Sequence, residues 1–514
     1  MININKLYLL LTCILFMGCN AIKPVKDQVS EIQTTEKPNI ILIFADDMGY
    51  GEIEALNPDR SKIPTPHLNS LAASGRVFTD AHTTSSVCTP SRYALLTGRY
   101  NWRTRLQHGV VTGGNKPLIP KDRLTVPALL KQAGYSTAMV GKWHLEHEYM
   151  VPTELQTAIL SKPTKELMPA PYPVGTKILE GPITRGFESY YGFHHSREMS
   201  SIVRDDVIEK EINVIKVLPS LTDEVVKLID QKADAGKDGK PFFIYFAQNS
   251  PHTPIVPSKD WQGKTKLGTY GDFVAQTDAS VGSVLEALKR NGLSENTMVI
   301  FSTDNGTSRA ANIESLQSKG HFPSAQFRGS KADIWDGGHR VPFIARWPGV
   351  IPPGSHSDQL ICLSDMIATF AELVSIKLPD NAAEDSWSFL PALKGQSITN
   401  PRISVVHHSI NGRFAFRYGE WKLIFAPGSG GWTAPKDIRA TEQGLPDLQL
   451  YNLAVDIGET TNLYDSHKNQ IQLLTTRLQK IVAEGRSTPG PTQKNDVEID
   501  ILKTSSNFKK NSGY

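Results

Sequence analysis

The sequence predicts an α/β protein: a doubly wound, mostly parallel sheet followed by a smaller C-terminal α+β subdomain on an antiparallel sheet. Three observations predict it. A continuous apolar, β-branched run, Asn39-Ile-Ile-Leu-Ile-Phe-Ala45, stops at the acidic pair Asp46-Asp47, as a strand buried on both faces of a parallel sheet does. Helical and strand patterns then alternate, each strand closing on a polar cluster, and ligands of such sheets bind beyond the carboxyl ends of the strands. From about Pro401 the helical periodicity gives way to short alternating segments separated by Gly, Asn and Pro, the mark of an antiparallel sheet.

The elements follow in order. Thr125 caps a short helix through Leu130, and Gly134 stops it before the strand Ser136–Val140, which ends at Gly141-Lys142-Trp143-His144. Leu221, Val225, Leu228 and Ile229 share one helix face, followed by the strand Pro241–Ala247 and by Gln248-Asn249-Ser250-Pro251-His252. Val274, Thr277, Val281, Val284 and Leu288 mark a further helix, ended by Asn291-Gly292, before the strand Thr297–Phe301 and Thr303-Asp304-Asn305-Gly306. Past Pro401, Ile403–His407, Arg413–Tyr418, Trp421–Phe425 and Leu448–Asn452 read as strands, and His467 to Glu484 as a helix packed on them. The boundaries expected are 38–400 for the large domain, 401–486 for the C-terminal subdomain and 487–514 for a flexible tail.

Composition narrows the class. The 514 residues carry 39% hydrophobic and 21% charged side chains, with 39 Gly and 33 Pro scattered along the chain, which excludes collagen, coiled coil and wholesale disorder. A formal charge of +3, from 55 Lys+Arg against 52 Asp+Glu, is too balanced for a surface that coats nucleic acid, so no such partner is expected. With no fixed-period repeat and no apolar run of about 20 residues, solenoids and multi-span membrane proteins drop out.

The first residues have their own logic. Lys6 precedes an apolar stretch from Leu7 to Met17 that ends in Phe16-Met17-Gly18-Cys19, too short to span a bilayer and flanked like a secretory signal. That ending resembles a bacterial lipobox. The expectation is a lipoprotein signal peptide over 1–18, lipidation at Cys19, and a polar tether over 19–37. The chain would then be an exported bacterial lipoprotein, anchored through its lipid in the periplasm or at the outer membrane. An ordinary cleaved signal with a chance Cys is the alternative. Cys13 lies in the signal, so Cys88 and Cys362 are left either to bridge or to have separate fates.

Asp46, Asp47, Asp304 and Asn305 offer only oxygen donors from two strand ends, a set that suits Ca²⁺ or Mg²⁺ over Zn²⁺. Acids after a single strand can equally cap the next helix. Two clusters at equivalent strand ends point to a metal. In Cys88-Thr89-Pro90-Ser91-Arg92 the proline fits the first turn of a helix that runs to Gly98, placing Cys88 at the helix N-terminus, where anions are attracted.

Cys-Thr-Pro-Ser-Arg resembles the Cys-x-Pro-x-Arg signature of the type I sulfatases, in which the Cys is converted to formylglycine, and the resemblance spans most of 38–465. Asn39 to Asp47 is similar to that family's opening strand, Pro64 to Gly75 to its first helix, and Gly141-Lys-Trp-His144 to its Gly-Lys-Trp-His element. Leu450-Tyr-Asn-Leu453 and Thr461-Asn-Leu463 are similar to its C-terminal subdomain, and Arg328-Gly-Ser-Lys331 before Trp335-Asp-Gly-Gly338 to its Gly-Lys segment. The resemblance implies an alkaline-phosphatase-like fold and a sulfuric ester hydrolase. It implies Ca²⁺ on Asp46, Asp47, Asp304, Asn305 and modified Cys88. A hydrated aldehyde would attack sulfur through one hydroxyl and expel sulfate by loss of the other's proton. Arg92 would hold the diol, Lys142 and His144 would contact its second hydroxyl with His144 as elimination base, and His252 and Lys331 would bind sulfate and assist the leaving oxygen. The partner implied in maturation is a formylglycine-generating or anaerobic sulfatase-maturing enzyme.

Lipid tethering fits a sulfated polysaccharide substrate, an algal polymer such as ulvan, carrageenan or fucoidan, or a glycosaminoglycan. Candidates to grip it are His194, His195, Arg197, His321 and His339, with Trp102-Arg103, Arg204, Arg340 and His407-His408 as further basic or aromatic groups. Two rival readings stay open: a phosphomonoester or phosphonate hydrolase of the same superfamily, and a catalytically dead glycan-binding lipoprotein.

Overall fold

Asn39–Asp46 (β1) is buried along its whole length, and its alternate residues feed two separate cores. Ile40, Leu42 and Phe44 pack into one, Ile41, Ile43 and Ala45 into the other, as period-2 geometry requires of a strand covered on both faces. The computed structural model describes residues 37–114, 116–160, 172–235 and 240–503. The signal peptide, Cys13, Cys19 and all of the tether but Lys37 lie outside them.

The large sheet has ten strands. Besides β1 they are Arg76–Phe78 (β2), Ser136–Lys142 (β3), Ser189–Phe193 (β4), Ser201–Arg204 (β5), Val207–Glu211 (β6), Phe242–Pro251 (β7), Thr297–Thr303 (β8), Ile344–Arg346 (β9) and Ser355–Ser357 (β10). Their spatial order is β10-β2-β9-β8-β1-β7-β3-β4-β5-β6. The central run from β8 to β4 is parallel throughout, so the carboxyl ends of these strands open on one edge. Antiparallel pairings follow on both flanks, and β10 closes one of them parallel to β2.

Helices Cys88–Thr97 (α2), Val126–Gln132 (α3) and Met366–Leu373 (α6) cover one face through Leu95, Leu129, Leu130, Ile367 and Phe370. Pro66–Ser74 (α1), Val217–Ala235 (α4) and Gly268–Arg290 (α5) cover the other through Leu68, Leu71, Leu221, Val225, Val274, Val281 and Leu288. The doubly wound reading therefore holds. The expected strands are found slightly longer: β3, β7 and β8 each continue into the polar cluster that was expected to follow them. The flanking strands carried too little pattern to be foreseen, three residues each for β2, β9 and β10.

The C-terminal sheet is Ser404–His408 (β11), Phe414–Tyr418 (β12), Trp421–Ile424 (β13) and Gln449–Asn452 (β14), antiparallel in sequence order. One face, with Phe414, Phe416, Leu423 and Leu450, packs on Leu474 and Leu478 of Lys468–Ala483 (α7) and on Trp102. Ala415, Ile424 and Tyr451 pack the opposite face onto Ile334 and Trp335. The tail expected from 487 is not loose over 487–503. Arg99 Nη2 donates to Asp496 Oδ1 at 3.0 Å, Arg103 Nη1 to Asn495 Oδ1 at 2.9 Å, and Ile501 joins the core beside α7. Polar composition there reflects ion pairing, and 504–514 lie outside the described residues.

Candidate active site

Asp47 has φ 64, a left-handed conformation that costs a non-glycine residue about 1 kcal/mol or more. The end of β8 holds it there: Asp47 N donates to Asp304 Oδ1 at 3.0 Å, Met48 N to Thr303 Oγ1 at 3.3 Å and Gly49 N to Thr307 Oγ1 at 3.0 Å. The turn after β1 is thus built by the neighbouring strand, and three carboxylates are forced together at 0–2% exposure.

Helix α2 delivers the next two groups. Val87 is its N-cap and Cys88 its first residue, Pro90 fits the first turn, and Gly98 ends it at φ 66. Cys88 and Arg92, four residues apart, share one helix face. The Cys88 sulfur lies within 4.8 Å of carboxylate oxygens of Asp46 and Asp304. Arg92 donates to Asp304 Oδ2 from Nη2 at 2.7 Å and from Nε at 3.1 Å, and its Nη1 donates to the Lys142 carbonyl at 3.2 Å. Lys142, at the end of β3, reaches Asp46 Oδ2 at 2.6 Å. Gly141 lets it: with φ 116, a Cβ there would stand 1.7 Å from the Ala247 oxygen.

Lys331 Nζ contacts Asp47 Oδ1 at 2.5 Å, and Asn305 Nδ2 donates to the same oxygen at 2.8 Å. His252 Nε2 stands 3.6 Å from Asp47 Oδ2. His144, also left-handed at φ 53, donates from Nε2 to the Val111 carbonyl at 3.0 Å, which fixes its tautomer and leaves Nδ1 as the basic atom.

Burial drives the Asp46 carboxyl up, but Lys142, His252 and Arg92 more than offset it and hold it at about 2. Burial likewise opposes Asp47, where Lys331 and His252 win and lower it. Asp304 goes the other way, raised by burial and by Asp46. Burial also raises the Cys88 thiol despite Lys142 and Lys331, so the encoded side chain is a neutral thiol and a poor nucleophile. His144 is held well below the usual histidine range by burial and by Lys142, which keeps it an unprotonated base.

The donor set fits a hard divalent cation. Asp46 Oδ1, Asp47 Oδ2 and Asn305 Oδ1 are buried acceptors with no hydrogen-bond partner among the described residues. An unsatisfied buried acceptor costs about 1–3 kcal/mol. Oxygen ligands of this kind are those Ca²⁺ and Mg²⁺ take.

Comparison with known proteins gives the family. The sequence profile of the family described as Sulfatase matches residues 38–376. The chain belongs to the sulfatase family. It is 30% identical to an N-acetylgalactosamine-6-O-sulfatase of Bacteroides thetaiotaomicron, over 93% of this chain and 99% of that protein. It is also 30% identical to human arylsulfatase A, over 88% of this chain and 90% of that one. Among solved structures, one described under the metabolism of multiple glycosaminoglycans by Bacteroides thetaiotaomicron superposes with a TM-score of 0.74 at 27% identity, covering 87% of this chain and 99% of that chain.

The protein is thus a sulfatase, a hydrolase of sulfuric esters, and the residues named from its motifs converge at the expected strand ends. Its expected substrate contacts mostly do not. His321 is fully buried, with Nε2 on Glu52 Oε2 at 2.8 Å and Nδ1 accepting from Lys62 N at 3.0 Å. His339 is buried against His82 and His407, its ring stacked on His407 at 3.6 Å. His194 is enclosed between Glu146 and Glu198. His321 and His339 are internal histidines whose neighbours take both ring nitrogens, whereas the buried His194 lies with its ring centroid 6.1 Å from that of His144. Arg103 forms a buried bidentate pair with Asp385, Trp102 packs under the C-terminal sheet, and Arg340 binds Asp80 and Asp336. Arg204 pairs with Glu209 and Glu224, and His407 and His408 are buried. His195 packs on His144, ring centroids 4.5 Å apart and nearly perpendicular, and the backbone N–H of the half-buried Arg197 donates to His195 Nδ1 at 3.0 Å.

The sulfatase also uses residues the motifs do not announce. Glu52 gathers Tyr270 at 2.5 Å, Thr307 at 2.8 Å and His321. Thr307 in turn pins the turn after Asp47. An isolated acid in a loop carries no pattern that distinguishes it. Asn249, at the end of β7, is buried with both amide atoms unpartnered; its position in a strand-end polar cluster was the available signal. Cys88 and Cys362 are both free thiols, and Cys362 packs with Leu360 and Val405.

Proposed function

We propose that this sulfatase removes sulfate from a sulfated glycan, with Cys88 matured to formylglycine and Ca²⁺ held by Asp46, Asp47, Asp304 and Asn305. The observation that carries the reading is the trio of buried acceptor oxygens without a hydrogen-bond partner, on Asp46, Asp47 and Asn305, together with a buried Cys88 sulfur within 4.8 Å of carboxylate oxygens of Asp46 and Asp304. The glycan assignment rests on relatives: an N-acetylgalactosamine-6-O-sulfatase and a structure of Ps i-CgsB with k-i-k-neocarrahexaose, at 26% identity and a TM-score of 0.66.

When present, the hydrated aldehyde supplies an oxygen nucleophile at neutral pH, and the cation supplies the positive charge that favours its deprotonation. The chain's own residues do the rest. Lys142 and Lys331 line the centre with positive charge and neutralise the sulfate oxygens as the S–O bond opens. Arg92 orients Asp304 and, through the Lys142 carbonyl, the end of β3. The proton for the departing alcohol comes from Nε2 of the imidazolium form of His252, whose Nδ1 donates to the Thr253 carbonyl. His144 Nδ1 takes the proton whose loss releases sulfate, and burial keeps competing water out.

The polypeptide is further proposed to be exported and anchored through Cys19, and to depend on a formylglycine-generating or anaerobic sulfatase-maturing enzyme. The test is the mass of the tryptic peptide Val77–Arg92 from natively produced protein, joined to sulfate release from sulfated oligosaccharides. An aldehyde at position 88 with sulfate release supports the reading. A thiol there in a fully active enzyme, or faster hydrolysis of the phosphate than of the sulfate ester of one phenol, overturns it. Labelled fatty acid retained by a Cys19→Ala chain would sink the anchor.

A further inference from the structure

A groove of about 1150 Å³ opens between residues 309–330 and the 432–439 segment of the C-terminal subdomain. This exceeds the ~300–1,000 Å³ of ordinary small-molecule sites. Five cationic side chains line it against one carboxylate, Glu314, a strong local bias in a chain whose formal charge is only +3. Like charges gathered around a concave surface repel one another and focus the field on an incoming anion.

Arg328 is engaged by the Glu459 carbonyl and the Trp335 ring; the other four cations carry no strong ion pair among the described residues. Among the described residues no carboxylate pairs with Arg60, Arg309 or Lys436: Arg60 lies 3.7 Å over the Phe322 ring, and Arg309 donates to the Trp432 carbonyl at 2.8 Å. Arg439 pairs only with the exposed Glu442, a bond of little strength in water. Trp432 is half-buried in the wall and supplies an aromatic surface for the apolar face of a sugar ring. The groove is also tied to the catalytic centre. Its wall runs through Gly329 and Ser330 directly into Lys331, and the Phe322 and Pro323 carbonyls press on Gly51 and Gly49 just after Asp47.

We infer that this groove binds a further stretch of the sulfated glycan chain, taking its anionic groups on Arg60, Arg309, Lys436 and Arg439 and a sugar ring on Trp432. The inference rests on the proposed function for the identity of the chain and adds a second contact region to the enzyme. The enzyme would thus favour long polyanionic substrates over single sulfated sugars.

The test measures the affinity of the full Cys88→Ala chain for iota-carrageenan and chondroitin sulfate, with neutral dextran as control. It compares Lys436→Glu/Arg439→Glu and, separately, Trp432→Ala in that background. The charge reversals lie on exposed positions. Each variant is expected to lose about tenfold in affinity for at least one sulfated polymer. In the Cys88 enzyme the same changes leave p-nitrophenyl sulfate turnover unchanged. Affinities within twofold of the parent for both polymers, or equal affinity for single-stranded DNA, overturn the inference. Because the binding is read in a chain that cannot turn over, absence of p-nitrophenyl sulfate hydrolysis by the matured enzyme counts against the proposed function alone.

Discussion

Arg92 and Asp304 form a fully buried pair in which two guanidinium nitrogens, at 2.7 and 3.1 Å, meet one carboxylate oxygen. The other oxygen of Asp304 accepts from Asp47 N, so a single carboxylate joins helix α2 to the strained turn after β1. Removing either partner leaves an uncompensated charge in the interior, which costs about 3–5 kcal/mol.

Arg92→Ala should therefore lower both stability and turnover. The expected loss in kcat/KM on p-nitrophenyl sulfate is about 10²-fold or more, with a lowered Tm by calorimetry. Arg92→Lys keeps the charge without the fork and should recover Tm more than activity. An enzyme with unaltered kcat/KM in Arg92→Ala would remove this pair from the catalytic account.

The three orphaned acceptors predict a cation effect on stability. A ligand bound only by the folded chain adds about 2.7 kcal/mol at one hundred times its Kd, so Ca²⁺ should raise Tm and a chelator should lower it. Asp47→Asn removes the negative charge beside Lys331 and should abolish the Ca²⁺-dependent shift. A Ca²⁺ response that is equal in the variant would place the cation elsewhere.

The parts of this site that were legible in the sequence are those fixed by strand ends. Asp46, Asp47, Lys142, His252, Asp304 and Asn305 each follow an apolar run, and a parallel sheet brings such positions to one edge whatever the intervening loops do. The histidines failed for a related reason. His321 and His339 carry the same ring as His144, but what decides their use is whether Glu52 or His82 occupies a ring nitrogen, and those partners are far away in the chain. The tail failed likewise: Asp496 and Asn495 look solvated until Arg99 and Arg103 are seen beside them.

Arg103 provides a direct test of that distinction. Its bidentate pair with Asp385, at 2.8 and 2.9 Å, is buried on both sides and is structural. Arg103→Ala should cost about 3–5 kcal/mol, read as an earlier midpoint in urea, while KM for sulfated substrate stays at the parent value in the folded fraction. A rise in KM with stability intact would return Arg103 to the substrate contacts.

Asp80 sets the acid limb of the stability curve. Burial opposes its ionisation, but the hydrogen bond from His82 and the charges of Arg340 and Arg417 outweigh burial and hold its carboxyl far below the usual range. The unfolded chain, with an ordinary carboxylate near ~3.9, then takes up this proton before the folded chain does as pH falls. The stabilisation is therefore complete above about pH 4 and is lost progressively as the solution is acidified below it. Asp80→Asn should cost about 3 kcal/mol at neutral pH, because the largely buried Arg417 loses its counterion and Arg340 keeps only Asp336. Its stability should also fall less steeply than the parent's below about pH 4. Urea midpoints taken across the acid range decide it: parallel curves for parent and variant would mean that Asp80 does not carry the acid sensitivity.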